Sequence, residues 1–134
     1  MMNNSFMPNV EEAIHQALLA TWSKQTQPAF YPKIPAYNHC AQTAIVIFEN
    51  FGGEILRTEV RMRDGQLIDH FYNRIGGQRY DFTKDQFELT DFVKPVSYQD
   101  IPSSVKEAEK TLQPGQLSAM RSGFRAAYMK TGMK

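Results

Sequence analysis

A thiol, an imidazole and a carboxylate follow one another along this sequence in a way that can support nucleophilic catalysis. The thiol is Cys40, the only cysteine among 134 residues, and His70 and Asp81 lie on segments that read as adjacent β-strands. In such a set the imidazole activates the thiol, while the carboxylate orients the imidazole and stabilises its charged form. The three residues are therefore candidates for catalysis through a cysteine nucleophile. A histidine beside an aspartate on a half-exposed sheet face can also have no chemical role.

The position of Cys40 in its segment bears on its reactivity. The sequence PAYNHCAQTAIVIFENFGG places the cysteine two residues after Asn38, a typical helix-capping residue, and before an apolar run that ends at Gly52-Gly53. Unpaired amide groups and the helix dipole at the N-terminus of a helix favour a thiolate over a thiol. The alternative is that Cys40 is a small buried hydrophobic residue with a packing role.

Two turn signals predict the strands that would carry the histidine and the aspartate. Asp64-Gly65 and Gly76-Gly77 interrupt a segment rich in β-branched and aromatic residues, and both dipeptides are typical of β-hairpins. The segment is thus predicted to form an antiparallel meander with strands at about 54–63, 66–75 and 78–83.

Counting from two-residue turns assigns the strand side chains to two faces. Tyr72 is expected opposite Asp81, and Glu59 opposite His70. His70 and Asp81 would then be diagonal neighbours with Cβ atoms roughly 6–8 Å apart, within reach of a hydrogen bond. The predicted polar face contains Glu59, Arg61, His70, Tyr72, Asp81 and Thr83, and the predicted core face contains Leu56, Val60, Met62, Leu67, Phe71, Ile75, Tyr80 and Phe82.

Helical periodicity predicts the elements around this sheet. An amphipathic helix is expected at 9–26 with Asn9 as its cap, followed by a proline-rich extended connector at 27–37. The helix after Asn38 is apolar nearly all round, which is typical of a central, buried helix. Further helices are expected at 104–113 and 116–130, so the fold class is α+β, with helices on both ends of the chain.

Composition restricts the classes of function. The length suits a single domain over 1–134, with 1–8 expected to be flexible, and a net charge of +1 gives no sign of a nucleic-acid binder. One cysteine cannot form an internal disulfide, and no signal-peptide pattern or membrane-spanning run occurs. A cytoplasmic protein is expected, with export by a route that needs no signal peptide as the alternative. No metal or cofactor site is expected, because His39 and Cys40 are adjacent and have no usual zinc-ligand spacing.

Several motifs resemble the YunG-like proteins, a family of small bacterial proteins. They are HCAQTA around Cys40, GGEILRT after the central helix, HFYNRIGG, and YDFTKDQF, and they lie between about residues 37 and 90. Within the family pattern, His39 stands where a glutamine is frequent, and Tyr72 replaces a tryptophan.

The same order of residues is more distantly similar to transglutaminase-like and other papain-fold cysteine enzymes. That resemblance implies a papain-like core, in which a central helix packs on an antiparallel sheet, with Cys40 as nucleophile, His70 as base and Asp81 as orienter. The amide of papain-type proteases six residues before the cysteine is absent, because that position is Ile34. Asn38 and Gln42, together with the Cys40 backbone amide, are therefore the candidates for oxyanion stabilisation, and Tyr72 is a supporting residue.

These features lead to two functional hypotheses. The first is a cysteine hydrolase or acyltransferase that acts on an amide, isopeptide or thioester bond of a protein or a small molecule. The alternative is a binding or regulatory domain of the same fold in which the cysteine is buried and inert. Neither reading requires a cofactor, a nucleic acid or a membrane, and the sequence leaves the oligomeric state open.

Overall fold

The structure of the protein is a computed structural model that describes residues 6–89 and 91–132. The α-helices in these residues are α1 (Pro8–Thr21), α2 (Cys40–Phe51), α3 (Val105–Glu109) and α4 (Gln116–Met129), and a 3-10 helix spans Lys84–Glu88. The strands β1 (Glu54–Arg61), β2 (Leu67–Ile75), β3 (Gln78–Tyr80) and β4 (Ile101–Ser103) form an antiparallel sheet in the order β3-β2-β1-β4. The expected α+β class is confirmed. None of the helices described is long and apolar enough to cross a membrane.

Helix α2 is the buried centre of the fold, as its apolar sequence predicts. Residues 41–47 are all buried, and the helix contacts β2, α3 and α4. Two polar contacts fix its rotation: Asn73 Nδ2 donates to the Ala44 carbonyl at 3.0 Å, and Trp22 Nε1 donates to Thr43 Oγ1 at 2.9 Å. Buried polar groups are costly unless paired, so these bonds select one orientation of the helix and thereby one direction for Cys40.

Helix α1 is shorter than the sequence predicts. It begins at Pro8 with Met7 rather than Asn9 as its N-cap, because proline needs no hydrogen-bond acceptor at the first helical position. It ends at Thr21 rather than near residue 26. Thr26 Oγ1 accepts a hydrogen bond from the Ser23 amide at 2.8 Å and donates to the Ser23 carbonyl at 3.1 Å, a local bonding pattern that competes with the helix.

The pairing of β1 with β2 differs by one residue from the prediction. Thr58, not Glu59, lies opposite His70, and Glu59 lies opposite Asp69. The cause is the turn: strand pairing stops at Arg61 and Leu67, so the connection is wider than a two-residue Asp-Gly loop. Residues that pair directly share a face, so Leu56 and Val60 lie on the face of His70, and Glu59 and Arg61 on the opposite one.

The pairing of β2 with β3 follows the predicted register. Asn73 lies opposite Tyr80, as a two-residue Gly76-Gly77 turn requires. The strand ends at Tyr80 rather than at Thr83, so Asp81 follows the sheet instead of lying within it. A fourth strand, β4, was not predicted from the sequence. Its residues pair with 55–57 of β1, and its Pro102 stands at the sheet edge, where proline is tolerated.

The remaining expected segments show smaller differences. Helix α4 matches its predicted range, whereas the helix expected at 104–113 is regular only to Glu109. Ser104 is its N-cap, and the Ser104 side chain accepts a hydrogen bond from the Glu107 amide at 3.1 Å. Of the start expected to be flexible, residues 1–5 lie outside the described residues, while the Phe6 ring packs on Phe51 and Tyr80 and Pro8 already belongs to α1.

Candidate active site

Cys40 is the first residue of α2, and its side chain is partly exposed. His39 rather than Asn38 occupies the N-cap position, and Asn38 has a left-handed backbone with φ of 59°. In the part of the chain that the structure describes, the backbone N–H groups of residues 40–42 donate no hydrogen bond, as is usual for the first turn of a helix. The thiol therefore lies beside unpaired donors that favour negative charge.

His39 anchors the loop that leads to the cysteine. Its side chain is fully buried, its Nε2 lies 2.7 Å from Thr26 Oγ1, and its ring packs on Trp22. Burial lowers the pKa of His39 to about 4, so this ring is neutral at physiological pH. His39 points away from the cavity beside Cys40 and acts as a structural residue.

Cys40 and His70 line the same cavity, which has a volume of about 310 Å³. Its walls are the start of α2, residues 68–71 of β2, the 3-10 helix at Gln86 and Phe87, and Thr111 with Leu112. The short strand β3 pairs only with residues 73–75 of β2, which leaves the strand edge near His70 open for the 3-10 helix. The structure thus brings together the thiol and the imidazole that the sequence singles out.

Asp81 binds His70 but does not line the cavity that His70 shares with Cys40. The carboxylate oxygen Oδ2 lies 2.7 Å from His70 Nε2, and both side chains are almost completely buried. Thr83 donates from its amide and from its hydroxyl to the other oxygen, Oδ1, each at 3.2 Å. A buried carboxylate with this many donors is held ionised and in one orientation.

The two charges of this pair stabilise each other. Burial by itself opposes protonation of His70, but hydrogen bonds and charge from Asp81 and Cys40 outweigh it and raise the pKa of His70 to about 9. Burial also opposes ionisation of Asp81, yet the bond and the charge of His70 hold the pKa of that carboxyl below its usual range. At neutral pH the pair is therefore an imidazolium and a carboxylate.

Gln86 and Tyr98 belong to the site and were missed by the sequence analysis. Gln86 Nε2 lies 3.3 Å from His70 Nδ1 and donates to Thr83 Oγ1 at 3.1 Å. The Tyr98 hydroxyl donates to Asp81 Oδ2 at 2.7 Å. Tyr98 comes from a proline-containing irregular segment, so no periodicity placed it near Asp81. Gln86 lies three residues after Thr83 in the sequence TKDQ, which is typical of a helix capping box and does not indicate a contact with His70.

The three supporting residues predicted from the sequence take different positions. Asn38 is exposed and lines the cavity with Cys40. Gln42 is buried, and its Nε2 donates to the carbonyls of Thr26 and Asn38 at 2.8 and 3.2 Å, so both amide hydrogens are used. Tyr72 stacks on His70 with ring centroids 5.9 Å apart, away from the cavity. Asn38 thus lies in the cavity wall with Cys40, whereas Gln42 hydrogen-bonds to the preceding loop and Tyr72 stacks on the imidazole.

Comparisons with known proteins identify the family of this chain. A family model described as the YunG protein matches residues 10–128. A relative from Bacillus subtilis (strain 168), named "Uncharacterized protein YunG", is 36% identical over 113 residues, which cover 84% of this chain and 90% of the relative. No solved structure shows a significant match. The motifs around Cys40, His70 and Asp81 had predicted this relationship, and the chain belongs to the YunG family.

Proposed function

We propose that this protein is a cysteine-dependent hydrolase or acyltransferase that acts on an amide, isopeptide or thioester bond. One observation carries the proposal: the thiol at the start of α2 lines the same cavity as an imidazole whose other nitrogen is held by a buried carboxylate. Nucleophile, base and orienting acid need this mutual arrangement in cysteine acyl transfer. The proposal includes a papain-like core, in which a helix carries the nucleophile and adjacent strand segments carry the base and the acid.

Each residue has a distinct step in the proposed reaction. Because His70 is already an imidazolium at neutral pH, the thiol proton leaves to solvent and the imidazolium stabilises the thiolate, while its Nε2–H remains bonded to Asp81. The Cys40 thiolate attacks the carbonyl carbon of the substrate, and the carbonyl oxygen becomes negatively charged. The imidazolium then gives its proton to the departing amine or thiol as the C–N or C–S bond breaks, which leaves an acyl-cysteine. Water or another nucleophile takes the acyl group, with His70 as the base.

The developing oxyanion needs donors beside Cys40. Among the residues that the structure describes, no acceptor pairs with the backbone N–H of Cys40, and the exposed residue Asn38 lines the same cavity. Gln42 is not available, because Thr26 and Asn38 already accept both of its amide hydrogens. We therefore assign oxyanion stabilisation to the Cys40 amide and Asn38, a combination that a preorganised helix start can supply.

The alkylation rate of Cys40 as a function of pH tests the proposal. With iodoacetamide at pH 6, the folded wild-type protein is expected to react about tenfold or more faster than a His70→Ala variant, because the imidazolium stabilises the thiolate. A His15→Ala variant is the matched control, since His15 lies on α1 outside the cavity, and it should react like the wild type. Mass spectrometry after quenching gives the rates, and circular dichroism checks the fold of each variant.

A binding domain with an inert cysteine is the second candidate. The contact that favours it is the Gln86 amide nitrogen, which lies 3.3 Å from the His70 nitrogen that would serve the thiol. If Cys40 reacts only after the protein is unfolded, or reacts equally fast with and without His70, the enzyme proposal fails. The cavity would then be tested for ligand binding.

A further inference from the structure

A tyrosine contacts Asp81 at the oxygen that also binds the imidazole. The Tyr98 hydroxyl donates to Asp81 Oδ2 at 2.7 Å, and His70 Nε2 lies 2.7 Å from the same atom. The other oxygen of the carboxylate is taken by the amide and the hydroxyl of Thr83. The proposed mechanism uses His70 and Asp81 but assigns no part to Tyr98.

The structure holds the Tyr98 ring firmly in place. The ring lies edge-on to Tyr72 with centroids 5.0 Å apart, and the Arg79 guanidinium lies 4.6 Å from its centroid. Two residues further along, Asp100 has a left-handed backbone with φ of 54° and binds Arg79 through both carboxylate oxygens. The Tyr72 hydroxyl donates to Asp100 Oδ1 and accepts the Asp100 amide, each at 2.8 Å.

These contacts hold residues 98–100 against Tyr72 and Arg79, on the side of His70 where Asp81 lies. A residue other than glycine is costly in the left-handed region and persists there only when its surroundings fix it. Asp100 is held by Tyr72 and Arg79, and the Arg79 guanidinium also packs on the Tyr98 ring. These contacts hold the Tyr98 hydroxyl at Asp81. Burial raises the pKa of Tyr98, so the hydroxyl keeps its proton and remains a donor.

The Tyr98 hydroxyl and the His70 ring compete for the negative charge of Asp81 Oδ2. A hydrogen bond from a neutral hydroxyl disperses part of the negative charge of Oδ2, which weakens the attraction of that oxygen for the imidazolium. Without the tyrosine hydroxyl, Asp81 would hold the protonated imidazole more tightly. A base that is held too tightly in its protonated form releases its proton poorly to a leaving group.

We infer that Tyr98 is a positioning residue that acts through Asp81 and limits how strongly the carboxylate retains the protonated form of His70. This inference rests on the proposed function, because Tyr98 can affect proton transfer to a leaving group only if His70 is the proton donor in such a reaction. Its structural part, the effect of the Tyr98 hydroxyl on His70, is independent of whether Cys40 reacts.

The test is the titration of the His70 ring, followed by NMR in the wild type and in a Tyr98→Phe variant. The variant keeps the ring and its packing and removes only the hydroxyl. Its His70 midpoint is expected at higher pH, so that the ratio of imidazolium to imidazole at a fixed pH in the transition increases about three- to tenfold. Tyr31→Phe is the matched control, because Tyr31 is partly exposed and lies outside both the cavity and the Asp81 contacts.

A second variant covers the case in which Tyr98→Phe does not fold. Thr83→Val removes the hydroxyl that donates, at 3.2 Å, to the Asp81 oxygen that His70 does not use, and with it the acceptor of the Gln86 amide, so a smaller shift in the same direction is expected. An unchanged midpoint or a shift to lower pH in a folded Tyr98→Phe protein would overturn the inference. Because the titration needs no turnover, this result is separable from the alkylation test, which alone decides on Cys40.

Discussion

An Asp81→Asn variant is expected to lose about 3 kcal/mol of its free energy of unfolding at pH 6, and much less at pH 9.5. The reason is the raised pKa of His70, which is about 9 in the folded protein and about 6.5 in the unfolded chain. A raised pKa contributes stability that is fully present below the unfolded value and is lost as pH rises through the folded one. The contribution of the pair therefore disappears between pH 6.5 and pH 9.

Asp81 contributes a pH dependence of stability that has the opposite sign. Hydrogen bonding to His70 lowers the pKa of Asp81 despite its burial, so ionised Asp81 stabilises the folded state above the usual carboxyl range. That stability is lost as pH falls below about 4 and the carboxylate is protonated. The wild type should thus be most stable relative to the variant between about pH 4 and pH 6.5.

Urea unfolding of the wild type and of Asp81→Asn, from about pH 4 to pH 9.5, measures the difference between their free energies of unfolding. Asp85→Asn is the matched control, because Asp85 is an exposed carboxylate four residues from Asp81. The control should follow the wild type within about 0.5 kcal/mol at every pH. A loss in Asp81→Asn that is equally large at pH 6 and pH 9.5 would contradict the protonated pair and indicate a purely steric role for the carboxylate.

Local patterns were sufficient to predict the parts of the site that depend on neighbouring residues. The apolar run after Cys40 and the glycines at its end predicted α2 and its central position. The Gly76-Gly77 turn predicted the β2–β3 register, because a two-residue hairpin fixes its strands by counting. These two features together place Cys40 at a helix start and bring His70 within hydrogen-bond distance of Asp81.

Contacts between distant segments account for what the sequence could not predict. Residues 62–66 form a wider turn than their Asp-Gly dipeptide indicates, and one extra position reversed the face assigned to Leu56 and Glu59. Strand β4 exists because three residues pair with β1 across a long stretch of chain, which no local propensity records. Tyr98 also contacts Asp81 across a long stretch of chain, so the immediate surroundings of the His70–Asp81 pair could not be predicted from the sequence.

A Gly53→Ala variant, at the junction between α2 and β1, is expected to show the second large loss of stability. Gly53 has a φ of 80°, and a methyl group there would overlap the Arg74 carbonyl oxygen and lie 2.8 Å from Ile75 Cγ1. Both neighbours belong to β2, which is paired on both sides, so the backbone cannot yield locally. A loss of about 4 kcal/mol or more in the free energy of unfolding is expected.

Gly52→Ala separates the two causes of this loss. Gly52 has nearly the same φ of 79°, but nothing lies within 4 Å of the position a methyl group would take. Its substitution therefore introduces only backbone strain, of about 1–3 kcal/mol. Equal losses in the two variants would contradict a close approach of Gly53 to β2. If Gly53→Ala is clearly the less stable, this glycine sets the distance between the helix that begins with Cys40 and the strand that carries His70, so its folded population should also alkylate Cys40 more slowly at pH 6.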